Sequence, residues 1–375
     1  MKHDYDTIIL GLGGLGSAAL YWTARRNGGR VLGLEQFELD HARGGSQDHS
    51  RIIRLSYHTP GYVELAKHAY AAWAEVEADA GEQLVYRTGG LDFWPAASPF
   101  AMADYTGSMD AAGVPYEHLS AAEVIRRWPQ FRLTDDVSAI YQAQSGIATP
   151  NKSNAAHRRL ARAYGATLRD HAPVTAVRPR GDELEVVAGG ETYRCRRLIV
   201  AAGAWSNGVL AHFGRRLHLT VTQEQVTYFA TPHAADFTPD RFPIWIWLDE
   251  PCFYGFPVFG EPGPKAAQDV GGERVTAETR TFEPNAATLA RTEAFLSRVI
   301  PTMMGPHLYT KTCLYDMPPD RDFVLGSLPE QPNVSIAIGA GHAYKFASLI
   351  GRILSDLALD GRTDYDISPF HIDRP

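Results

Sequence analysis

Cysteine is scarce in this chain: 375 residues carry three, Cys195, Cys252 and Cys313. Their spacing fits neither a metal-binding array nor a disulfide framework. A reduced, cytoplasmic setting is the simplest expectation, and no metal site is expected. Long hydrophobic runs are missing too, and no stretch is long enough to span a bilayer. The opening MKHDYDTIIL lacks the charged start, apolar stretch and cleavage site of a signal peptide, so no leader is expected. Positive charge is not in excess. Lys plus Arg number 36 against 43 Asp plus Glu, a formal charge of −7. That balance, with no basic run, excludes a general nucleic-acid surface. Internal repeats and low-complexity segments are also absent. Hydrophobic residues at 45% and charged residues at 21% give an ordinary globular balance, and the length allows more than one domain.

What is present begins at once. The apolar run 7–10 reads as a buried strand entering Gly11-Leu12-Gly13-Gly14-Leu15-Gly16. An Ala-rich, helix-permissive stretch follows over 17–26, then a second strand over 30–35. In this βαβ unit Gly11 permits the tight turn, Gly13 lets the backbone approach a pyrophosphate, and Gly16 lets helix pack on sheet. Glu35 lies 24 residues after Gly11, near the spacing of a ribose-binding acid. Strand, loop, helix, strand and acid in that order favour a dinucleotide site over a chance glycine cluster. The motif alone does not separate NAD from FAD.

Farther on, 60–80 has the spacing of an amphipathic helix. Residues 89–94 alternate as a strand, and 198–202 read as a buried one. Residues 221–259 are rich in aromatic and β-branched residues and predict a second sheet. The stretch 260–272 is Gly/Pro-rich and reads as a loop. A last strand at 334–338 leads through a glycine turn into a helix over 344–359. Dinucleotide-type elements thus sit at the start, middle and end, with β-rich material between. The expected fold is α/β: a Rossmann-like cofactor domain over 1–84, 146–220 and 318–375, interleaved with a β-sheet-rich substrate domain over 85–145 and 221–317.

Several segments in this order carry a family resemblance. They are the glycine loop, Ser50-Arg51-Ile52-Ile53-Arg54, Thr88-Gly89-Gly90, Arg127-Trp128-Pro129 and Ser145-Gly146. Leu198–Trp205, Tyr254-Gly255-Phe256-Pro257, Lys311-Thr312-Cys313-Leu314-Tyr315 and Gly339–Phe346 follow, and Asp366-Ile367-Ser368 and Arg374-Pro375 close the chain. Over nearly its whole length the chain resembles the monomeric sarcosine oxidase and N-methyltryptophan oxidase family, FAD enzymes of the D-amino-acid-oxidase-like superfamily.

The resemblance implies a flavin amine oxidase. A secondary amine, an N-methyl, cyclic or glycated amino acid, loses a hydride to FAD; the imine is hydrolysed; oxygen becomes hydrogen peroxide. It implies an FAD tether at Cys313, and the nucleophilic form of cysteine suits that bond. It makes Lys265, eleven residues after Tyr254, the lysine that promotes reaction with oxygen, a fixed cation for developing negative charge. Arg54 and Lys345 become the pair for the substrate carboxylate. Arg51 is placed by the flavin ring, and His342 at the start of the last helix, whose dipole favours negative charge. Tyr315 and Tyr254 would line the cavity. Cofactor contacts are implied for Gly11, Gly13, Gly14, Gly16, Glu35, Gln36, Ser46, Arg51, Val174, Ala202, Gly203, Trp205, Cys313, Gly341, His342 and Lys345. No partner beyond a small molecule and oxygen is implied, and a monomer suffices.

The chain also departs from the pattern. Asp269 stands where sarcosine-acting members carry histidine, Trp245 where they carry methionine, and Gly45-Ser46-Gln47-Asp48-His49 replaces a His-rich stretch. Trp245 either walls the cavity or, by strand alternation, faces away from it. Asp269 either reaches the substrate or is a solvent-facing acid. Three rivals remain: a dehydrogenase with another electron acceptor, an NAD-dependent oxidoreductase, and a non-catalytic flavin-binding relative.

Overall fold

The first apolar run forms a strand, His3–Leu10, and helix Gly14–Asn27 starts directly on the glycine loop, earlier than expected. The computed structural model describes residues 3–374; Met1 and Lys2 of the opening, and Pro375 of the closing motif, lie outside the described residues. Strand His3–Leu10 pairs in parallel with Val31–Leu34 on one side and Glu191–Val200 on the other, and Gln331–Ile338 extends the parallel set. These strands are almost wholly apolar where they meet, as a sheet covered on both faces requires. Helices Gly14–Asn27, Pro150–Ala163 and Ala347–Asp360 cover one face. Thr167–Arg169 flanks Val31–Leu34, while the hairpin Val174–Arg180 with Glu183–Ala188 joins the start of Glu191–Val200. The whole is an eight-stranded sheet.

A second, nine-stranded sheet draws its strands from Gly90–Gln142 and Thr220–Met317. Towards one end Thr220–Phe229 pairs with His307–Met317 and with Lys265–Asp269, and the latter with Cys252–Phe256. Helix Ala286–Val299 packs Phe295 behind this sheet, stacked on Trp245 and Phe253. A small third sheet, Arg51–Ile53, Gly146–Ala148 and Val85–Arg87, takes strands from both sides of the expected divisions at 84/85 and 145/146. The architecture is mixed α/β, with a Rossmann-like sheet and a large second sheet.

Helix Pro60–Ala80 has the bounds its apolar spacing predicts. The expected loop 260–272 is different: it holds the buried strand Lys265–Asp269. Lys-Ala-Ala-Gln carries little β propensity of its own, and two neighbouring strands impose the conformation. The last helix opens with a 3-10 turn, Ala343–Phe346, before Ala347–Asp360.

Candidate functional site

A cavity of about 330 Å³ runs along the carboxyl ends of the parallel strands, over the glycine loop. Gly11, Gly13 and Gly14 form its floor, and Glu35, Gln36, Ser46 and Arg51 border it. Val174, Ala202, Gly203, Trp205 and Gly341 close its sides. Gly16 does not line it. A Cβ there would lie 1.7 Å from the Gly11 carbonyl oxygen, so Gly16 serves the contact between loop and helix. The helix N-terminus has no acidic residue in its first turn, and the Gly14 amide donates to Ser46 Oγ at 2.9 Å. An uncompensated dipole end suits a phosphate. Glu35 accepts from the Leu12 amide at 2.8 Å and the Phe37 amide at 3.2 Å. Burial opposes its charge, but His41 and these amides outweigh it and hold the carboxyl below its usual value.

Lys265 is a deeply buried charged side chain, 1% exposed. Its Nζ donates to Asp48 Oδ2 at 2.8 Å and to the Ser50 carbonyl at 2.9 Å, and sits 4.1 Å from the Phe256 ring centre. Asp48 also accepts from Tyr228 Oη at 2.7 Å and the His49 amide at 2.8 Å, with Arg51 at 3.3 Å and Lys311 at 3.7 Å. Burial would raise the Asp48 carboxyl, but Lys265 and Arg51 hold it far below the usual range. Burial lowers Lys265 to about 8 in spite of Asp48. Asp48 and Tyr228 were not among the residues singled out by sequence. Asp48 appeared only as a departure, and no spacing links it to a lysine 217 residues away.

Arg54 uses one nitrogen on Asp92, at 3.1 Å to both carboxylate oxygens, while its buried Nε has no partner. Lys345 donates to the His342 carbonyl at 3.0 Å. Burial, then the Arg54 charge, lowers Lys345 to about 7. His342 Nε2 donates to the Arg321 carbonyl at 2.9 Å, and burial, then Lys345, lowers its pKa to about 3, so it is a neutral donor. Tyr254 and Tyr315 meet at their phenols and feel Asp269 and Cys313. Gly341, at φ 77°, admits the Tyr315 ring, which a Cβ there would meet at 2.4 Å. Asp269 also acts on Lys345 and lies 3.7 Å from Arg321, a residue sequence did not flag. Lys345, His342 and Cys313 therefore sit beside the glycine-loop cavity rather than on its lining. Cys313 lies opposite Glu224 in the strand pair, next to the lining residue Leu314. Burial pushes its thiol up to about 11, against the pull of Arg51.

Trp245 corrects an expectation. Strand alternation turns it behind the sheet, onto Phe295, while Ile244 and Ile246 face the other way. It is a core residue and no wall of the site.

The model of the family described as FAD dependent oxidoreductase, DAO, matches residues 6–357. The chain belongs to this family. It is 35% identical to the monomeric sarcosine oxidase of Streptomyces avermitilis, over 99% of this chain and 97% of that one. It is 29% identical to the N-methyl-L-tryptophan oxidase of Salmonella arizonae, over 99% of both. Among solved structures NikD, an unusual amino acid oxidase essential for nikkomycin biosynthesis, superposes with a TM-score of 0.88 at 28% identity, covering 99% of this chain and 98% of that one. The protein is thus an FAD-dependent oxidoreductase, and the residues present fit FAD. The helix N-terminus at Gly14, with no acidic residue in its first turn, suits the pyrophosphate. Glu35 keeps its carboxylate at the end of the second strand, and the small residues Ala202 and Gly203 leave room along the cavity.

Proposed function

We propose that this FAD-dependent oxidoreductase oxidises the C–N bond of an N-substituted amino acid, releasing hydrogen peroxide. The observation that carries the substrate class is the pair Arg54 and Lys345. Both are largely withdrawn from solvent, and among the described residues only Asp92 of the carboxylates bonds to either, so a bound carboxylate would complete the charge balance. When bound, FAD supplies a two-electron acceptor that oxygen regenerates.

The remaining work belongs to side chains. Arg54 offers its open edge to the substrate carboxylate and Lys345 a point charge. Tyr254 and Tyr315 flank the amine end, and Asp269 is an acceptor close to Lys345 that suits an amine or hydroxyl. Neutral His342 holds the turn from which Lys345 projects. An ammonium has three N–H bonds, and Lys265 uses two on Asp48 and Ser50, which leaves one donor for oxygen as it gains charge. Arg51 is tied to the Gly45 and Gln47 carbonyls, both at 3.0 Å, and so fixes the loop along the cavity.

We also read FAD as tethered through Cys313, which sits beside Leu314 under the influence of Arg51. Monomeric state and oxygen as acceptor are supported by the names of the relatives. The assignment of 1–84, 146–220 and 318–375 to FAD, and of 85–145 and 221–317 to substrate, is supported by the strand membership of the two large sheets, though the small third sheet straddles it.

The test is an anaerobic screen of N-methyl, cyclic and glycated amino acids against their decarboxylated amines. Loss of flavin colour with the acids alone is expected. Equal bleaching by both would remove the carboxylate from the argument. Acid denaturation and filtration test the tether: yellow colour is expected to stay with the protein.

A further inference from the structure

Six lysines occur in the chain, and Lys265 is deeply buried. The charged groups around it are Asp48 from the loop before the Arg51 strand, Arg51 itself and Lys311 from strand His307–Met317. Tyr228 comes from strand Thr220–Phe229, with Phe256 from the strand beside Lys265. Beyond Asp48, Glu261 is taken up by His49 at 2.8 Å and Tyr309 at 2.7 Å. Three cations therefore share one carboxylate, and that carboxylate is 1% exposed.

We propose that Asp48 is a positioning residue for Lys265: its carboxylate fixes the buried ammonium and keeps it charged, so that one N–H is held ready for oxygen. The proposal rests on the reading of Lys265 given above and adds the residue that makes that reading workable. The geometry is specific. Asp48 Oδ2 receives Lys265 and Arg51, while Oδ1 is saturated by Tyr228 and the His49 amide. The backbone of Asp48 is itself clamped, its N–H donating to Asn151 Oδ1 at 2.9 Å and its carbonyl accepting from the Asn151 amide at 3.1 Å. The carboxylate cannot follow a moving lysine, so the lysine is held to the carboxylate.

Removing that one negative charge leaves three cations together. One of them gives up its proton, because burial disfavours unpaired charge. Arg51 cannot, as guanidinium stays protonated. Lys311 has 29% of its side chain exposed against 1% for Lys265. Lys265 is therefore the group that turns neutral. A neutral amine neither stabilises superoxide charge nor keeps its fixed orientation.

The experiment uses the holoenzyme labelled with 13Cε-lysine, in which the signal lost in Lys265→Met identifies Lys265. Wild type is expected to titrate near about 8. Asp48→Asn is expected to titrate about one to three pH units lower, the range set by one adjacent opposite charge. Reoxidation of the reduced enzyme by oxygen at pH 8 should slow by ~5-fold or more in Asp48→Asn and recover as the pH falls. In Lys265→Met it should be slow at every pH. Flavin reduction by substrate should change far less in both. Asp48→Glu keeps the charge and should restore most of the titration, which guards against a variant that merely folds poorly. An unmoved titration in Asp48→Asn, or Glu and Asn variants that titrate alike, would overturn the proposal. A shifted titration with normal reoxidation in Lys265→Met supports the coupling and overturns the oxygen role beneath it.

Discussion

The proposed anion site pairs Arg54, a group that cannot lose its proton, with Lys345, one that can. Arg54 is held charged: burial works against it, and Asp92 more than offsets that. Replacing Arg54 by Met should cost ~2–5 kcal/mol of carboxylate binding, because a buried hydrogen-bonded charge is removed while its partner stays. The dissociation constant of acetate or another small carboxylate for the holoenzyme measures it. A change of less than twofold would remove Arg54 from the site. Lys345 gives a pH signature. Its protonated form attracts the carboxylate, and burial beside Arg54 brings it down to about 7 in the free protein. A bound anion raises it again. Affinity for a small carboxylate should therefore be full below pH 7 and fall as pH rises through that value, by up to ~10-fold per pH unit. Lys345→Met should abolish this slope. A slope that persists in Lys345→Met would assign it to another group.

At the scale of the element, strand alternation decides which residues meet the substrate. Neighbouring positions on a strand face opposite sides. On Ile244–Trp247 the isoleucines join the core shared with the cofactor side, and the tryptophans stack behind the sheet. Trp245→Ala should therefore lower stability by ~3–5 kcal/mol, as for other large aromatic truncations, and leave the ranking of substrates unchanged. Denaturant unfolding together with kcat/KM for sarcosine and a bulkier N-alkyl amino acid checks both halves. A reversed preference would return Trp245 to the cavity. The same periodicity explains Lys265. Its strand has a loop-like composition, yet its two neighbours fix its register, with Lys265 paired to Tyr228 and Phe256.

At the scale of the whole molecule, one apolar cluster joins the two large sheets. Ile53, Trp73 and Ile350 share it with Ile244, Ile246 and Phe256. The ion pair of Lys265 with Asp48 crosses the same junction. A core continuous across both parts favours one cooperative transition. Urea unfolding of the holoenzyme should therefore give coincident curves from tryptophan fluorescence and far-UV circular dichroism. Two separated midpoints would show that the sheets unfold independently.

The sequence by itself determined what depends on near neighbours in the chain. Turn chemistry at Gly11, Gly13 and Gly16, apolar runs on either side, and the periodicity of 60–80 need only local spacing, so the βαβ unit and the long helix were legible. Ordered motifs in the family pattern carried the chemistry as well. Tertiary structure decided what depends on partners far apart. Asp48 and Lys265 are 217 residues apart and meet only because two sheets converge. The strand Lys265–Asp269 exists because both of its edges are paired, not because its residues favour extension. Both faces stayed open for Trp245 because alternation fixes parity, while only packing against Phe295 says which parity faces the core. Charge states lie in the same class. Burial and neighbours set the protonation of Lys345, Lys265 and His342, and neither is a property of the residue or of its place in the chain.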